Sequence, residues 1–214
     1  MATSTVVRRP LWRGFGEGEL ELAVAHAKSG GVAVVKASAW YLLGDGGAPL
    51  VTGLPLLIEW AISAVEAKTW RVLEDGAAAG LARAPIPTAW HERVDEWMVR
   101  DAAFDGSVAE ASFDCVKCAA CCWDNRVVLD AEDVLRLERG GRNDVILKAR
   151  TKGRDRLLPL DRKTKACAYL GVDDGLMCSI YDVRPKMCRE FPPGTEQCMN
   201  SREELYGSPF PPGR

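Results

Sequence analysis

The distribution of cysteine constrains this chain more than any other feature of its sequence. Residues 1–114 contain no cysteine, and eight follow at Cys115, Cys118, Cys121, Cys122, Cys167, Cys178, Cys188 and Cys198. In a reducing compartment such clustered thiols are typically metal ligands, whereas an even number in a secreted chain is typical of disulfides. The N-terminal Arg8 and Arg9 are not followed by an apolar run, which argues against a secretory signal. We therefore expect a cytoplasmic protein whose thiols bind metal.

The first group of cysteines contains two successive CxxC steps. A CxxC loop can turn two thiolates onto one zinc ion at about 2.3 Å, but structural zinc sites more often use two separated pairs. Three thiolates at the spacing of Cys115, Cys118 and Cys121 also occur around iron–sulfur clusters, with the fourth ligand arriving from elsewhere in the chain. This spacing favours an iron–sulfur cluster, of 4Fe–4S type, over zinc.

The adjacent pair Cys121 and Cys122 suggests more than one metal atom. Because neighbouring side chains generally diverge, both thiols are not expected to reach one small tetrahedral ion. Cys122 then either serves a second metal or is a buried thiol. Eight thiolates suffice for two four-ligand sites, for a cluster plus a zinc, or for a multinuclear site. In the simplest alternative, four or five cysteines ligate and the others pack as small apolar residues.

The second group of cysteines has wider spacing, and its members belong to a longer motif. Steps of eleven, ten and ten residues separate Cys167, Cys178, Cys188 and Cys198. These steps do not define a site on their own, and a disulfide framework would have the same count. The motif reads CSIYxxRPxxCRxF from Cys178 to Phe191, and FxCxxCxxCC precedes it from Phe113 to Cys122.

These two motifs resemble the YkgJ-type cysteine-cluster family, which is described as zinc- or iron-chelating. The resemblance covers residues 113–206 and implies that all eight cysteines are metal ligands. The family commonly has glycine after the second cysteine, where this chain has Ala119, so a positive φ there would strain the loop. The bacterial flagellin lysine methylase resembles the family in its cysteine motif, which implies an iron–sulfur enzyme as one alternative. Kinship of motif does not transfer the chemistry.

A few other residues are candidates for chemistry. Four basic residues inside the motifs could offset thiolate charge, and Tyr181 with Arg184 is the best pair for hydrogen bonds around the sulfurs; the four are Lys117, Arg184, Lys186 and Arg189. Cys188 could instead be a nucleophile, although membership of a ligand set explains it more simply. His26 and His91 are far from the cysteines in sequence, and an ordinary structural role is the simpler interpretation.

Charge and hydropathy argue against two classes of partner. The formal net charge of −2 provides no general attraction to nucleic acid or anionic membrane. Residues 148–165 contain eight basic and two acidic residues but no interleaved aromatic residue, which favours a solvated loop over a nucleic-acid surface. No stretch reaches the roughly 18 apolar residues that a transmembrane helix needs.

Hydrophobic periodicity predicts an α+β fold with a mainly helical N-terminal region. Helices are expected over Glu17–Lys28, from Thr52 to Gly76, and after Thr88, where Trp90, Val94, Trp97, Met98 and Asp101 share a stripe. The apolar run Val32–Leu43 could be a strand pair or a buried helix. We predict three segments: residues 1–112 mainly helical, 113–206 a small, loop-rich cysteine-cluster domain stapled by metal, and 207–214 a flexible tail.

Two classes of function fit this organisation. In the first, an iron–sulfur cluster is redox-active or catalytic and residues 1–112 contribute to a substrate pocket. In the second, zinc is structural and the chain is an accessory module that meets a partner protein through residues 1–112. The CxxCxxC step favours the first class, and the absence of a recognisable cosubstrate motif favours the second.

Overall fold

The computed structural model describes residues 4–45, 71–171 and 175–209. The chain separates into two compact units. We call Val7–Ala111 the sheet unit, and Met1–Val6 together with Ser112–Arg214 the cysteine unit. None of the helices in the described ranges has the length and apolar character needed to cross a bilayer.

Short strands and helices alternate along the chain. The strands are β1 (Thr5–Pro10), β2 (Trp12–Gly16), β3 (Val32–Lys36), β4 (Trp40–Asp45), β5 (Arg71–Val72), β6 (Leu81–Pro85), β7 (Val108–Phe113), β8 (Val128–Leu129), β9 (Arg150–Lys152), β10 (Asp155–Leu157), β11 (Leu170–Gly171) and β12 (Met177–Cys178). The α-helices are α1 (Leu20–Lys28), α2 (His91–Asp101), α3 (Cys115–Cys118), α4 (Ala131–Arg139), α5 (Asn143–Lys148), α6 (Lys186–Arg189) and α7 (Glu196–Tyr206). Short 3₁₀ helices span Glu17–Glu19, Thr88–Trp90, Ala120–Cys122 and Tyr181–Val183.

A five-stranded sheet, in the order β2-β3-β4-β6-β5, forms the centre of the sheet unit. Strands β2 and β3 are parallel, and the other neighbours are antiparallel. Because side chains alternate along a strand, Val32 and Val34 join the core that α2 completes, while Ala33 and Val35 join the core that α1 completes. The sheet is therefore apolar on both faces, which is why the run from Val32 shows no alternation.

The prediction of a mainly helical N-terminal region is wrong. The run Val32–Leu43 folds as the antiparallel strands β3 and β4, which is one of the two alternatives that its periodicity left open. The predicted helix from Thr52 to Gly76 lies largely outside the described residues, and Arg71–Val72 at its end is strand β5. The helix over Glu17–Lys28 is confirmed as a 3₁₀ turn followed by α1.

The helix expected after Thr88 is also confirmed. Its buried residues are Val94, Trp97, Met98 and Asp101, which belong to the predicted stripe. Trp97 packs on Trp12 with 4.8 Å between the ring centroids. The Asp101 carboxylate accepts hydrogen bonds from the Trp12 amide at 2.9 Å and from Arg9 Nη1 at 3.1 Å. This buried acid is thus a structural tie between α2 and the start of β2.

The cysteine unit has smaller sheets and a smaller core. Strands β8, β10 and β9 form a three-stranded antiparallel sheet, and β11 pairs with β12. Helix α4 starts with a capping box in which Asp130 and Asp133 accept each other's backbone N–H. Among the described residues, its larger core cluster consists of seven buried residues, namely Val127, Leu129, Leu137, Val145, Leu158, Tyr169 and Ile180. Three partly buried cysteines, Cys167, Cys178 and Cys188, pack against that core.

Candidate metal centre

The first cysteine motif is held by a capped helical turn. Strand β7 ends at Phe113, and the Asp114 side chain accepts hydrogen bonds from the amides of Val116 at 3.2 Å and Lys117 at 3.3 Å. Asp114 thereby caps α3, a single turn that begins at Cys115 and ends at Cys118. Residues three apart lie on the same face of a helix, so this turn presents both thiols to one side.

Ala119 ends this turn in the left-handed region, at φ 48° and ψ 11°. The structure therefore requires at this position the positive φ that glycine adopts without strain, and the chain supplies a buried alanine. After the reversal a 3₁₀ helix carries Cys121 and Cys122, and the Cys122 amide donates to the Ala119 carbonyl at 2.9 Å. Residue 119 thus turns the second half of the motif away from the first.

Backbone pairing brings Cys167 and Cys178 to the first motif. The Cys167 amide donates to the Cys122 carbonyl at 2.8 Å, beside an isolated antiparallel bridge between Trp123 and Ala166. Cys178 lies opposite Leu170 in the β11–β12 pair, and the Leu170 amide in turn donates to the Cys167 carbonyl at 2.9 Å. Segments 45 residues apart in sequence are thereby fixed side by side, which spacing alone did not predict.

Cys188 is placed by the buried carboxylate of Asp133. Asp133 is 1% exposed, and its Oδ1 accepts the backbone N–H of Lys186 at 2.7 Å. Its Oδ2 accepts the N–H of Asp130 at 3.2 Å. Asp133 therefore joins the start of α4 to the start of α6, and α6 carries Cys188.

Cys198 lies in the first turn of α7, which packs against the 3₁₀ helix Ala120–Cys122. Its amide donates to Thr195 Oγ1 at 3.4 Å, so Thr195 caps this helix. One turn further along, Arg202 donates from Nη1 to Cys118 Sγ at 2.7 Å. The Tyr206 hydroxyl donates to the Cys118 carbonyl. Helix α7 thus faces the turn that carries Cys118.

Six of the eight thiols surround one cavity of about 240 Å³. They belong to Cys115, Cys121, Cys122, Cys167, Cys178 and Cys188. Apolar side chains such as Val127, Leu158 and Ile180 form much of the remaining wall, which also includes Arg184 and Arg189. Of the predicted ligands, Cys118 and Cys198 are not among the described residues that line this cavity.

All eight cysteines are free thiols, so the fold does not require a disulfide framework. Six of the eight line the cavity. Within the described ranges, no group of three or more His, Cys, Asp or Glu side chains could hold a metal ion as it stands. Two thiols are engaged elsewhere, since Cys118 accepts from Arg202 and Cys121 bonds to Cys122. Ligation therefore needs side chains to turn, which leaves the ligand assignment a prediction.

Three thiols of the second group of cysteines have raised pKa values, which makes them poor nucleophiles in this environment. Burial, reinforced by the neighbouring thiolates, raises the pKa of Cys188 to about 12. Burial likewise raises the pKa of Cys167 and of Cys198 to about 11. A nucleophilic cysteine needs a lowered pKa, so the interpretation of Cys188 as a nucleophile loses support. A bound cation would reverse this balance, because metal ligation stabilises the thiolate form.

The pKa values of the Cys121 and Cys122 thiols are shifted in opposite directions. The hydrogen bond between the two thiols, followed by burial, raises the pKa of Cys121. The same hydrogen bond lowers the pKa of Cys122, and the Arg184 guanidinium adds to that effect. Adjacent thiols therefore differ in charge preference, with Cys122 the readier of the two to ionise.

Arg184 and Tyr181 both line the cavity and contact each other. The Arg184 guanidinium carbon is 3.5 Å from the centre of the Tyr181 ring, and its Nε donates to the Tyr181 carbonyl at 2.9 Å. Arg189 fixes the same segment by donating to the Arg184 carbonyl at 3.0 Å. Although burial raises the pKa of Cys115, Cys178 and Cys188, the Arg184 charge counteracts that shift. Arg184 is thus a preformed counter-charge for thiolates.

The other candidates have ordinary contacts. The Lys117 side chain is 86% exposed and lies 3.6 Å from Asp114. His26 Nε2 is 3.1 Å from the Leu11 carbonyl, and burial lowers the pKa of His26. His91 stacks on Trp40 with the ring centroids 3.9 Å apart. Both histidines are therefore accounted for within the sheet unit.

Arg202 is the functional residue that sequence reasoning missed. It lies four residues after Cys198 on α7, so a helical reading of this segment places both side chains on one face. That spacing was the signal available in the sequence.

The comparisons agree with the geometry. Residues 114–205 match the family model CxxCxxCC, described as "putative zinc- or iron-chelating domain". No curated protein and no solved structure matches the chain. The match bears out the resemblance seen in the sequence motifs and supports metal binding in general.

Proposed function

We propose that this chain, whose residues 114–205 match the CxxCxxCC family model, is a metal-binding protein whose cysteine thiolates hold an iron–sulfur cluster, of 4Fe–4S type. The observation that carries the proposal is the cavity of about 240 Å³ with six thiols in its wall. The Cys115, Cys118 and Cys121 spacing adds to it, because clusters take three closely spaced thiolates and a distant fourth.

The environment of the thiols suits a charged metal–sulfur group. Four thiolates on a zinc ion or a cluster leave a net negative charge, which the Arg184 guanidinium would offset. The apolar wall around Val127 and Ile180 would restrict water, which matters because burial and charge set the potential of a cluster. Bound there, a cluster would supply one-electron chemistry.

Structural zinc is the second candidate, and the small core of the cysteine unit favours it. Sheets of two and three strands bury little apolar surface, and small domains of this kind often depend on a metal for stability. In that case the chain is an accessory module rather than an enzyme. Eight free thiols persist in a reducing compartment, which agrees with a cytoplasmic location.

For the partner we propose a protein or a small molecule rather than nucleic acid. Four of the eight basic residues of segment 148–165, namely Arg150, Lys152, Arg154 and Arg156, lie on the β9–β10 hairpin, whose Arg150–Lys152 strand is exposed. Segment 148–165 contains no aromatic residue on which a base could stack, as single-stranded nucleic-acid sites normally do.

Metal analysis of the full chain, purified without oxygen, tests the proposal. We expect a brown protein with iron and acid-labile sulfide in about equal amounts, as a 4Fe–4S cluster requires. The variant Cys115→Ser should lose the colour, whereas the matched variant Ser112→Ala, three residues earlier, should keep it. A colourless chain with stoichiometric zinc would replace the cluster by structural zinc. A well-folded chain without either metal would overturn both candidates.

A further inference from the structure

Arg202 on α7 is a buried cation that contacts the first cysteine motif. Only 5% of the residue is exposed, and its Nη1 donates to Cys118 Sγ at 2.7 Å. We infer that Arg202 is a positioning residue of the metal centre, which keeps this N–H···S hydrogen bond when metal is bound and offsets the negative charge on the Cys118 sulfur. The inference rests on the proposed function, since it assumes that the thiols bind metal, and it adds the residue that prepares one of them.

Three further contacts fix the direction of the Arg202 guanidinium. Its Nε donates to the Pro209 carbonyl at 2.9 Å. Its central carbon lies 5.8 Å from the centre of the Phe113 ring and 5.5 Å from that of the Tyr206 ring, within the range at which an aromatic ring attracts a cation. Because the guanidinium is planar and carries its donors in a rigid fork, fixing Nε also fixes the direction of Nη1. The donor is therefore oriented toward the sulfur before metal binds.

The backbone of Cys118 is held by the same helix. The Tyr206 hydroxyl donates to the Cys118 carbonyl, and the Cys118 amide donates to the Asp114 carbonyl at 2.9 Å. Arg202 and Tyr206 are four residues apart, so both side chains lie on one face of α7. That face thus binds Cys118 at two atoms, the sulfur and the carbonyl oxygen.

The place of Cys118 beside the cavity connects this contact to metal binding. Cys118 itself is not in the described lining, but Cys115 and Ala119, before and after it in the same motif, are. Residues three apart share one face of a helix, so Cys118 lies on the same side of α3 as Cys115. A sulfur that binds metal can still accept a hydrogen bond, as the sulfurs of iron–sulfur clusters do. The bond to Arg202 is therefore compatible with ligation by Cys118.

A buried guanidinium is well suited to this role. Burial keeps salt and water from screening its charge, and the group stays protonated even in apolar surroundings. Partners that hydrogen-bond to a ligand atom orient that ligand and stabilise its charge, and losing one typically costs about 10–100-fold in metal affinity. Arg202 should therefore matter for metal retention although it does not touch the metal.

Resistance to a chelator tests the inference in the full, metal-loaded chain. The measured quantity is the chelator concentration that removes half of the metal retained on anaerobic purification. Arg202→Met should lower this concentration about 10–100-fold, and Arg202→Lys, which keeps the charge but not the fork of donors, should recover part of the loss. The matched control is Arg139→Met, because Arg139 is exposed at the end of α4. This control should retain metal as the wild type does.

A purely structural role of Arg202 would give a different pattern. If its packing against Phe113 matters rather than its charge beside the sulfur, Arg202→Lys and Arg202→Met should lose metal equally, and the inference fails. Hydrogen exchange of the α7 amides shows whether each variant is folded. Unchanged chelator resistance in a folded Arg202→Met chain would also overturn the inference.

A second substitution at Cys118 isolates the contact. In the Cys118→Ala background, Arg202→Met should cause no further loss of metal, because the sulfur that Arg202 contacts is already gone. A further, additive loss would mean that Arg202 acts through other residues, which contradicts the inference. If Cys118→Ala retains no metal, the comparison of Arg202→Lys with Arg202→Met decides alone. A metal-loaded wild type keeps the proposed function whatever these variants show, and a folded wild type without metal removes both.

Discussion

The two units of this chain are stabilised in different ways. In the part of the sheet unit that the structure describes, two apolar clusters of eight and seven residues are buried, one on each face of a five-stranded sheet. The cysteine unit has clusters of seven and three buried residues, with cysteines at the edge of both. Where the sheet unit closes its core with Trp12 and Trp97, the cysteine unit ends its core in thiols around a cavity. The first core is completed by hydrophobic burial, whereas the proposed function would have a bound metal complete the second.

Hydrophobic burial and metal binding contribute free energies of different size to folding. Burying one leucine or valine side chain contributes about 1.5–3 kcal/mol. Binding of a structural zinc ion contributes about 10–16 kcal/mol to folding in small domains, because the site does not exist in the unfolded chain. Since the whole stability of a domain is about 5–15 kcal/mol, a metal can decide whether the cysteine unit folds.

Metal removal should have the largest effect and should separate the units. A chelator strong enough to strip the thiolates is expected to abolish the thermal transition of the cysteine unit and to leave that of the sheet unit. Calorimetry combined with hydrogen exchange checks this: amides of β11 and β12 should lose protection, and those of β3 and β4 should keep it. Reloading the metal is the control. A stripped chain that retains all its secondary structure and its thermal midpoint would contradict the comparison.

A substitution that creates a cavity in the sheet unit should destabilise that unit and leave the metal of the cysteine unit in place. Leu42 on β4 is 1% exposed and lies in the core beneath α2. Leu42→Ala should lower the free energy of unfolding of the sheet unit by about 2–5 kcal/mol. The metal content of the whole chain should stay unchanged, as measured by elemental analysis of the folded protein. The matched control is Leu22→Ala, because Leu22 is 59% exposed on α1. A parallel loss of metal in Leu42→Ala would show that the units depend on each other.

Removal of the Asp133 carboxylate should lower stability by a smaller amount, and only in the cysteine unit. Asp133→Ala removes the acceptor of the Lys186 and Asp130 amides, and hydrogen bonds to charged groups are worth about 1.5–3 kcal/mol. The cysteine unit should lose about that much stability in denaturant titrations, and it should release metal faster because α6 carries Cys188. Glu132→Ala is the control, since its exposed pair with Arg136 is worth only about 0.3–0.5 kcal/mol. Equal losses in the two variants would remove the special role of Asp133.

Much of the local structure could be predicted from sequence where the pattern was strong. The stripe Val94, Trp97, Met98 and Asp101 predicted α2. The five-stranded sheet was not predicted, because Val32–Val35 has buried side chains on both faces of the sheet. Its hydrophobic pattern then cannot distinguish a strand from a buried helix. The pairing of Trp12–Gly16 with Val32–Lys36 is a contact between distant segments that local pattern does not encode.

The sequence motifs predicted which residues are candidates for the site but not how these residues are arranged in space. The CxxCxxCC motif identified the cysteines, and CSIYxxRP identified Arg184 beside Tyr181. Sequence spacing did not bring Arg202 to Cys118, because that contact depends on α7 packing against the first motif. Nor did it reveal that the Cys167 amide binds the Cys122 carbonyl. Ligand sets made of distant segments are decided by tertiary packing.

The smallest predicted effect concerns the residue at which the first motif reverses direction. Ala119 has φ 48°, and the left-handed conformation costs a residue with a Cβ about 1–2 kcal/mol. Ala119→Gly should relieve that strain, and losing a buried methyl group, worth about 0.8 kcal/mol, should offset part of the gain. We therefore expect the cysteine unit to change by no more than about 1 kcal/mol, toward greater stability.

The neighbouring alanine provides the matched control. Ala120 is equally buried but lies in a 3₁₀ helix, where glycine loses conformational entropy worth about 0.5–1 kcal/mol. Ala120→Gly should thus destabilise the cysteine unit by about 1.5 kcal/mol, because the entropy cost adds to the lost methyl group. Denaturant titration of both metal-loaded variants measures the contrast, which should approach 2 kcal/mol. If both substitutions lower the stability equally, backbone strain at Ala119 does not contribute, and the motif tolerates alanine because the metal, rather than the loop, fixes its shape.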